Sequence, residues 1–286
     1  MNPIHAQESV GFDESFRGFA LPTSNTTYTP NQFFDVCLRP RSRGCVRLVA
    51  FLIRKTLGWC DAEGNPQAER HLVSYADLVE AGINRDMIRG AINEAVEHHF
   101  VRCVRQPSIQ RAGSPAASGL YELKWDERGQ GGGYIKDPEM FQGFYAGEGN
   151  RTYIPNQFFD RLVPGETLAV VKVVGSVIRF SIGYQNKWGH RRQQVSLSFQ
   201  HIQNYSRLKD RTTLSKAVQY AMKSNFIERI EQGVFDPDAG KLSKAAVYAV
   251  KWLNDNTEFM NGRKTPPATV GKPDRANGRK TRPVLK

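Results

Sequence analysis

The chain has 286 residues, 40% of them apolar and 10% aromatic, which suffices for two domains with real cores and rules out wholesale disorder. Its formal charge of +12 favours a polyanionic partner, but eight Lys and Arg against one Asp after residue 260 hold seven of those charges. No apolar run approaches the roughly 20 residues that span a bilayer. The start, MNPIHAQESVGFDES, has neither the basic opening nor the apolar stretch of a secretory signal, so the expected location is cytoplasmic and nucleoid-associated, with no membrane contact.

Taken in order, the chain repeats itself. Phe16-Arg-Gly-Phe19 returns as Phe141-Gln-Gly-Phe144, and Tyr28-Thr-Pro-Asn-Gln-Phe-Phe-Asp35 returns as Tyr153-Ile-Pro-Asn-Gln-Phe-Phe-Asp160, both 125 positions on. In each PNQFFD run the Pro is placed to open a short helix and the two Phe to anchor it in a core. A helix follows over 44–57, with Cys45, Leu48, Val49, Leu52 and Ile53 on one face, and its partner repeats the spacing as Val170, Val173, Val174, Val177 and Ile178. Gly58 and Gly183 are expected to close these helices in the left-handed conformation. Arg54 and Arg179 recur on otherwise apolar helices, each with an Asp at the same distance upstream. An internal ion pair in each repeat, Arg54 with Asp35 and Arg179 with Asp160, is therefore expected.

After each Gly-aromatic pair comes a polar stretch and one short strand, ending near Val73-Ser74 and Val195-Ser196. A helical pattern over 74–80 then runs into the turn Ala81-Gly82-Ile83, with Asn84 placed to cap the next helix. That helix, over 85–100, puts Ile88, Ala91, Ile92, Ala95 and Val96 on one side. The same five spacings recur over 211–226 as Leu214, Ala217, Val218, Ala221 and Met222, with Asp210 as the cap. Alternating stretches follow each helix, 100–104 with 121–125 and 226–230 with 248–252, as the two strands of a hairpin. A helix-turn-helix followed by a hairpin is a winged helix. The expected fold is α+β: two tandem winged helix-turn-helix domains, 16–125 and 141–253, from an internal duplication. A Gly-rich linker, 126–140, joins them, and a basic disordered tail, 254–286, follows.

The four cysteines have no metal-binding spacing. Their counterparts in the second repeat, Leu162 for Cys37, Val170 for Cys45, Gln185 for Cys60 and Arg229 for Cys103, fit thiols that pack. The adjacent pair His98-His99 lacks the spacing of a nuclease metal site, and neither a paired-carboxylate set nor a phosphate-binding loop occurs. No catalytic residue, metal or cofactor is expected.

The run from Leu52 through Phe100, LIRKTLGW and then VSYADLVEAGINRDMIRGAINEAVEHHF, resembles the N-terminal DNA-binding domain of phage replication proteins of the lambda O type. More loosely it is similar to the tandem winged-helix initiators of plasmids. The resemblance implies binding to repeated sites at a replication origin and recruitment of a replicative helicase or its loader. Two winged helices stand here where the phage family has one, and no folded recruiting domain is expected after Trp252.

On this reading the partner is double-stranded DNA. Arg85, Arg89 and Asn93 from one recognition helix, and Arg211, Thr212, Ser215, Lys216 and Gln219 from the other, meet base edges and phosphates. Wing residues Arg105, Arg111, Lys241 and Lys244 touch backbone, and tail residues Arg263 and Lys264 form a phosphate-binding arm. Because the two reading helices differ, one chain should bind an asymmetric site, as a monomer with pseudo-dimeric domains or self-associating on repeats. The residues alone leave open an initiator, a transcriptional regulator of a mobile element, or a protein-docking module.

Overall fold

The Asn-x-Thr-Tyr-x-Pro stretch before each PNQF run is extended, a feature that periodicity alone does not expose. In the computed structural model, which describes residues 16–22, 25–60, 66–107, 118–126, 133–234 and 244–253, these stretches are β1 (Thr26–Pro30) and β5 (Arg151–Pro155). The first repeat continues with a π-helical turn (Phe33–Leu38), α1 (Arg43–Leu57), β2 (Arg70–Val73), α2 (Tyr75–Glu80), a 3-10 turn (Arg85–Met87), α3 (Ile88–Glu97), β3 (Val101–Arg105) and β4 (Gly119–Leu123). The second continues with a π-helical turn (Phe158–Leu162), α4 (Val163–Gly165), α5 (Leu168–Phe180), β6 (Gln194–Leu197), α6 (Phe199–Ser206), α7 (Arg211–Lys223), β7 (Ile227–Glu231) and β8 (Ala246–Val250). The class is α+β, and the two repeats share one order of elements around small antiparallel sheets, β2-β4-β3 and β6-β8-β7.

Local chemistry sets these boundaries. Asn25 and Asn150, at φ of 51° and 52°, turn the chain into β1 and β5, a conformation that Asn tolerates better than most residues. Pro30 and Pro155 end these strands instead of opening helices, where a residue without an N–H costs the ladder little; the buried Phe33, Phe34, Phe158 and Phe159 do anchor the turns that follow. Ser42 caps α1 by accepting from the Cys45 amide, and Thr167 caps α5 by accepting from Val170. Ser74 and Asp77 form a reciprocal capping box at α2. Gly58 and Gly183 both depart from expectation: the φ of Gly58 is −87°, right-handed, and Gly183 does not take a positive φ either. Glycine is needed there for space, because a Cβ would stand 2.4 Å from the Arg54 carbonyl oxygen; at Gly183 it would stand 2.5 Å from that of Arg179.

The repeats do not close on themselves; they exchange parts. The Phe16 ring lies 5.0 Å from that of Phe226, and the Phe19 amide donates to the Lys251 carbonyl at 2.8 Å. Reciprocally, the Phe141 ring lies 5.0 Å from Phe100, and the Phe144 amide donates to Lys124 at 2.7 Å. Gly18 and Gly143, at φ of 137° and 145°, allow this approach, since a Cβ at either would lie 2.7 Å from the backbone of Trp252 or Trp125. Gln32 accepts from the Tyr145 amide at 2.6 Å, and Gln157 from that of Ala20 at 2.7 Å. β1 and β5 pair antiparallel with Tyr28 opposite Tyr153. Each contact recurs with its partners interchanged, the mark of an isologous interface, here within one chain.

Arg54 and Arg179 take part in the same exchange. Arg179 donates through Nε and Nη2 to Asp35, both at 2.9 Å, and Arg54 Nε donates to Asp160 at 2.9 and 3.1 Å. Both ion pairs run between repeats, and neither expected internal pair exists.

Candidate nucleic-acid interface

α3 and α7 hold the residues that the sequence singles out, and both are fixed from behind. Asn84 caps the 3-10 turn leading into α3 by accepting from the Asp86 amide, and Asp210 caps α7 by accepting from Thr212 and Thr213. These hydrogen bonds from Thr213 and Thr212 hold the Asp210 carboxyl below its usual range. Two residues past the end of each helix stands a left-handed position, His99 at 61° and Asn225 at 57°. There the Phe100 amide reaches the Ala95 carbonyl at 2.9 Å and that of Phe226 reaches Ala221 at 2.9 Å, the six-to-one closure of a helix C-terminus.

Ile88, Ala91 and Ala95 bury the back of α3, and Leu214, Ala217, Val218 and Ala221 that of α7. Gly44 of α1 lets α3 come close, since a Cβ there would lie 3.0 Å from that of Ala91. Glu94 of α3 accepts from the Ser42 amide at 3.0 Å and from its hydroxyl. In the other repeat the Tyr220 hydroxyl donates to Glu166 at 3.3 Å, so each helix is tied to the start of the helix behind it. Arg47 donates to the carbonyls of Gly82 and Pro164, and to Val163 at 3.0 Å. It thus pins the turn between α2 and α3 to the second repeat, and burial lowers its pKa to about 10. Gly82 needs its φ of +83° for that turn, where a Cβ would also strike the Pro164 oxygen at 2.4 Å.

The opposite face is open. Arg85, Arg89, Asn93, Arg211, Thr212, Lys216 and Gln219 are exposed, and Ser215 is half-buried. A Cβ on Gly90, in the middle of that face, would meet nothing within 4 Å. Among the described residues no ion pair involves Arg85, Arg89 or Arg211, so these guanidinium groups keep their donors for a ligand. Asp86 stands exposed beside them.

Of the other expected contacts, Arg105 is exposed at the end of β3. Lys244 is exposed where its backbone bridges Val234 through two 2.9 Å hydrogen bonds at the base of the second hairpin. Arg111, Lys241, Arg263 and Lys264 lie outside the described residues. Two basic residues of the first sheet are already engaged: Arg70 donates to Glu122 at 2.8 Å, and Arg102 donates to its other oxygen.

One further feature has no periodic signature in the sequence. Tyr184 and Trp188, both exposed, carry Arg192 and Lys187 over their rings at 4.4 and 4.3 Å. Exposed aromatic faces beside cations are the chemistry on which unpaired bases stack. In the sequence the Gly-aromatic pair after the long helix marks Tyr184, and nothing marks Trp188.

Cys37 and Cys45 are buried and Cys60 is exposed; burial pushes the Cys37 thiol well up. Among the described residues no three His, Cys, Asp or Glu converge as a metal site, and no helix is long and apolar enough to cross a membrane. No protein-family model matches the sequence, and no curated protein matches it.

Proposed function

We propose that the chain is a sequence-specific double-stranded DNA-binding protein made of two winged helix-turn-helix units, and that it acts as the replication initiator of a phage, plasmid or other mobile element. The element order helix, strand, helix, helix, hairpin in each repeat supports the winged-helix reading. The observation that carries DNA binding is the pair of sided helices. α3 and α7 bury their apolar faces and leave Arg85, Arg89 and Asn93, or Arg211, Thr212, Lys216 and Gln219, in solvent. Arg forks match guanine, and Asn or Gln amides match adenine, by two hydrogen bonds to one base in the major groove. Arg105 and Lys244 would meet phosphates on either side.

The initiator role rests on the resemblance over 52–100, and with it a replicative helicase or its loader becomes the protein partner. Footprinting across the host replicon, with random duplex as competitor, tests both steps. Clustered protected sites beside an AT-rich tract, bound about a thousandfold more tightly than random DNA, are expected. A lone promoter site would replace initiator with regulator, and equal affinity for all duplexes would end the sequence-specific reading.

A further inference from the structure

One niche between the repeats is built differently on its two sides. Seven residues past its capping serine, Ser198, the second repeat has Tyr205; seven past Ser74, the first has Ala81. Tyr205 fills a niche between repeats. Its hydroxyl donates to Asp35 at 2.8 Å, its ring packs against Phe180 at 4.6 Å, and the Arg39 guanidinium covers it at 4.7 Å. Asp35 is saturated there, accepting also from Tyr134 at 2.8 Å and twice from Arg179.

On the other side the counterparts of Asp35, Phe180 and Arg39 are Asp160, Lys55 and Pro164. With Ala81 in place of the tyrosine they line an open cleft of about 330 Å³, together with Phe51 and Arg54. Asp160 accepts from Arg54 alone among the described residues, and its side chain is 51% exposed against 6% for Asp35. Of the groups that hold Tyr205 across the axis, the cleft keeps the Arg-paired carboxylate, which among the described residues has unfilled acceptor capacity; Lys55 and Pro164 replace the ring and the guanidinium, and the Phe51 ring, one turn before Lys55 on α1, supplies an aromatic wall of its own.

We propose that this cleft receives a tyrosine side chain from a partner polypeptide, its ring against Phe51, the Lys55 stem and Pro164, and its hydroxyl donating to Asp160. The chain cannot supply that group from its remaining segments, because all ten of its tyrosines lie within the described residues and none lines the cleft. DNA carries no phenol, so the site is separate from the reading helices and does not depend on what they bind.

The probe is p-cresol, titrated into the 15N-labelled full chain, with 4-methylanisole as the control that keeps the ring and loses the donor. The expected result is saturable amide shifts at Glu80, Ala81 and Val163, with the ether binding about tenfold more weakly for want of a hydrogen bond to a charged acceptor. Ala81→Tyr should fill the cleft from within, abolish the p-cresol response and raise Tm by about 2–4 °C for roughly 1 kcal/mol gained. Unsaturable shifts, equal binding of the two probes, or an Ala81→Tyr variant that still binds p-cresol would overturn the site. Self-association of the chain that Ala81→Tyr abolishes would assign the tyrosine to a second copy and overturn the separate partner.

Discussion

Tyr28 stands directly opposite Tyr153 in the β1–β5 ribbon, the two rings stacked 4.5 Å apart, and each occupies the same place in its own repeat. A two-fold axis relating the repeats passes between them. Every exchanged contact follows from it, including the Arg179–Asp35 and Arg54–Asp160 pairs and the Phe16-to-Phe19 and Phe141-to-Phe144 segments seated on the opposite repeat.

Because each leading segment completes the other repeat, the halves should depend on each other. Residues 16–126 and 133–253 made as separate chains are expected to associate when mixed and to elute together on size exclusion. Each alone should bind a hydrophobic dye, since Phe226 and Phe100 lose the rings packed on them. Two halves that each run as folded monomers, indifferent to mixing, would contradict the exchange.

The two ion pairs should differ sharply in weight. The two arginines are equally buried, so the carboxylates make the difference: Asp35→Ala removes a carboxylate that is itself buried and also serves the Tyr134 and Tyr205 hydroxyls, and the loss expected for breaking a buried pair is about 3–5 kcal/mol. Asp160→Ala removes a half-exposed carboxylate, for which water and salt already do much of the screening, and should cost less than about 1 kcal/mol. Urea unfolding of the two variants at pH 7 reads the difference directly; equal losses would count against the burial argument.

The Asp35 cluster also sets an alkaline limit. Burial first, and then the Asp35 charge, raise both Tyr134 and Tyr205 well above the ordinary value of 10.0. The unfolded chain releases these two protons near pH 10 and the folded chain does not, so their contribution is complete below pH 10 and declines as pH rises past it. Stability measured from pH 9 to 11.5 should fall less steeply in Tyr205→Phe, which has no proton to lose there. Identical slopes would remove Tyr205 from the account.

For DNA, the two-fold relation makes a specific demand. If both reading helices engage one duplex, their half-sites must be inverted in orientation yet unlike in sequence, since Arg85, Arg89 and Asn93 on one face answer to Arg211, Ser215 and Gln219 on the other. Arg85→Ala or Arg89→Ala should relax base preference in one half-site by about 1–3 kcal/mol, and Arg211→Ala in the other, with no change in Tm because all three side chains are exposed. Direct repeats, or losses spread evenly over both half-sites, would refute that arrangement.

Much of each repeat is legible in the sequence because its determinants are local. Ser74, Asn84 and Asp210 cap the helices they precede, and the apolar spacings of α3 and α7 give the buried faces except at Val96, which is exposed; the hairpin strands form where expected, but their burial does not alternate, and Val104 and Ile230 face solvent. What was not legible is which repeat a residue serves. Asp35 lies as far before Arg54 as Asp160 lies before Arg179, and a duplicated chain offers the same partners within a copy or across copies. Only the seating of Phe19 on Trp252, and of Phe144 on Trp125, decides between them. β1 and β5 escaped notice for a similar reason: each is a single strand with no partner in its own repeat. Gly58 is needed for space and not for a left-handed turn, and a close carbonyl leaves no periodic trace.

Tyr205 and Ala81 carry a lesson about ancestry as well as about binding. In a pair of identical subunits, any residue that closes one side closes the other, and a molecule so built must be open at both niches or at neither. Joining the two halves into one gene lifts that obligation. One side could then be sealed for durability while its twin stayed vacant, giving an otherwise symmetrical body a front and a back.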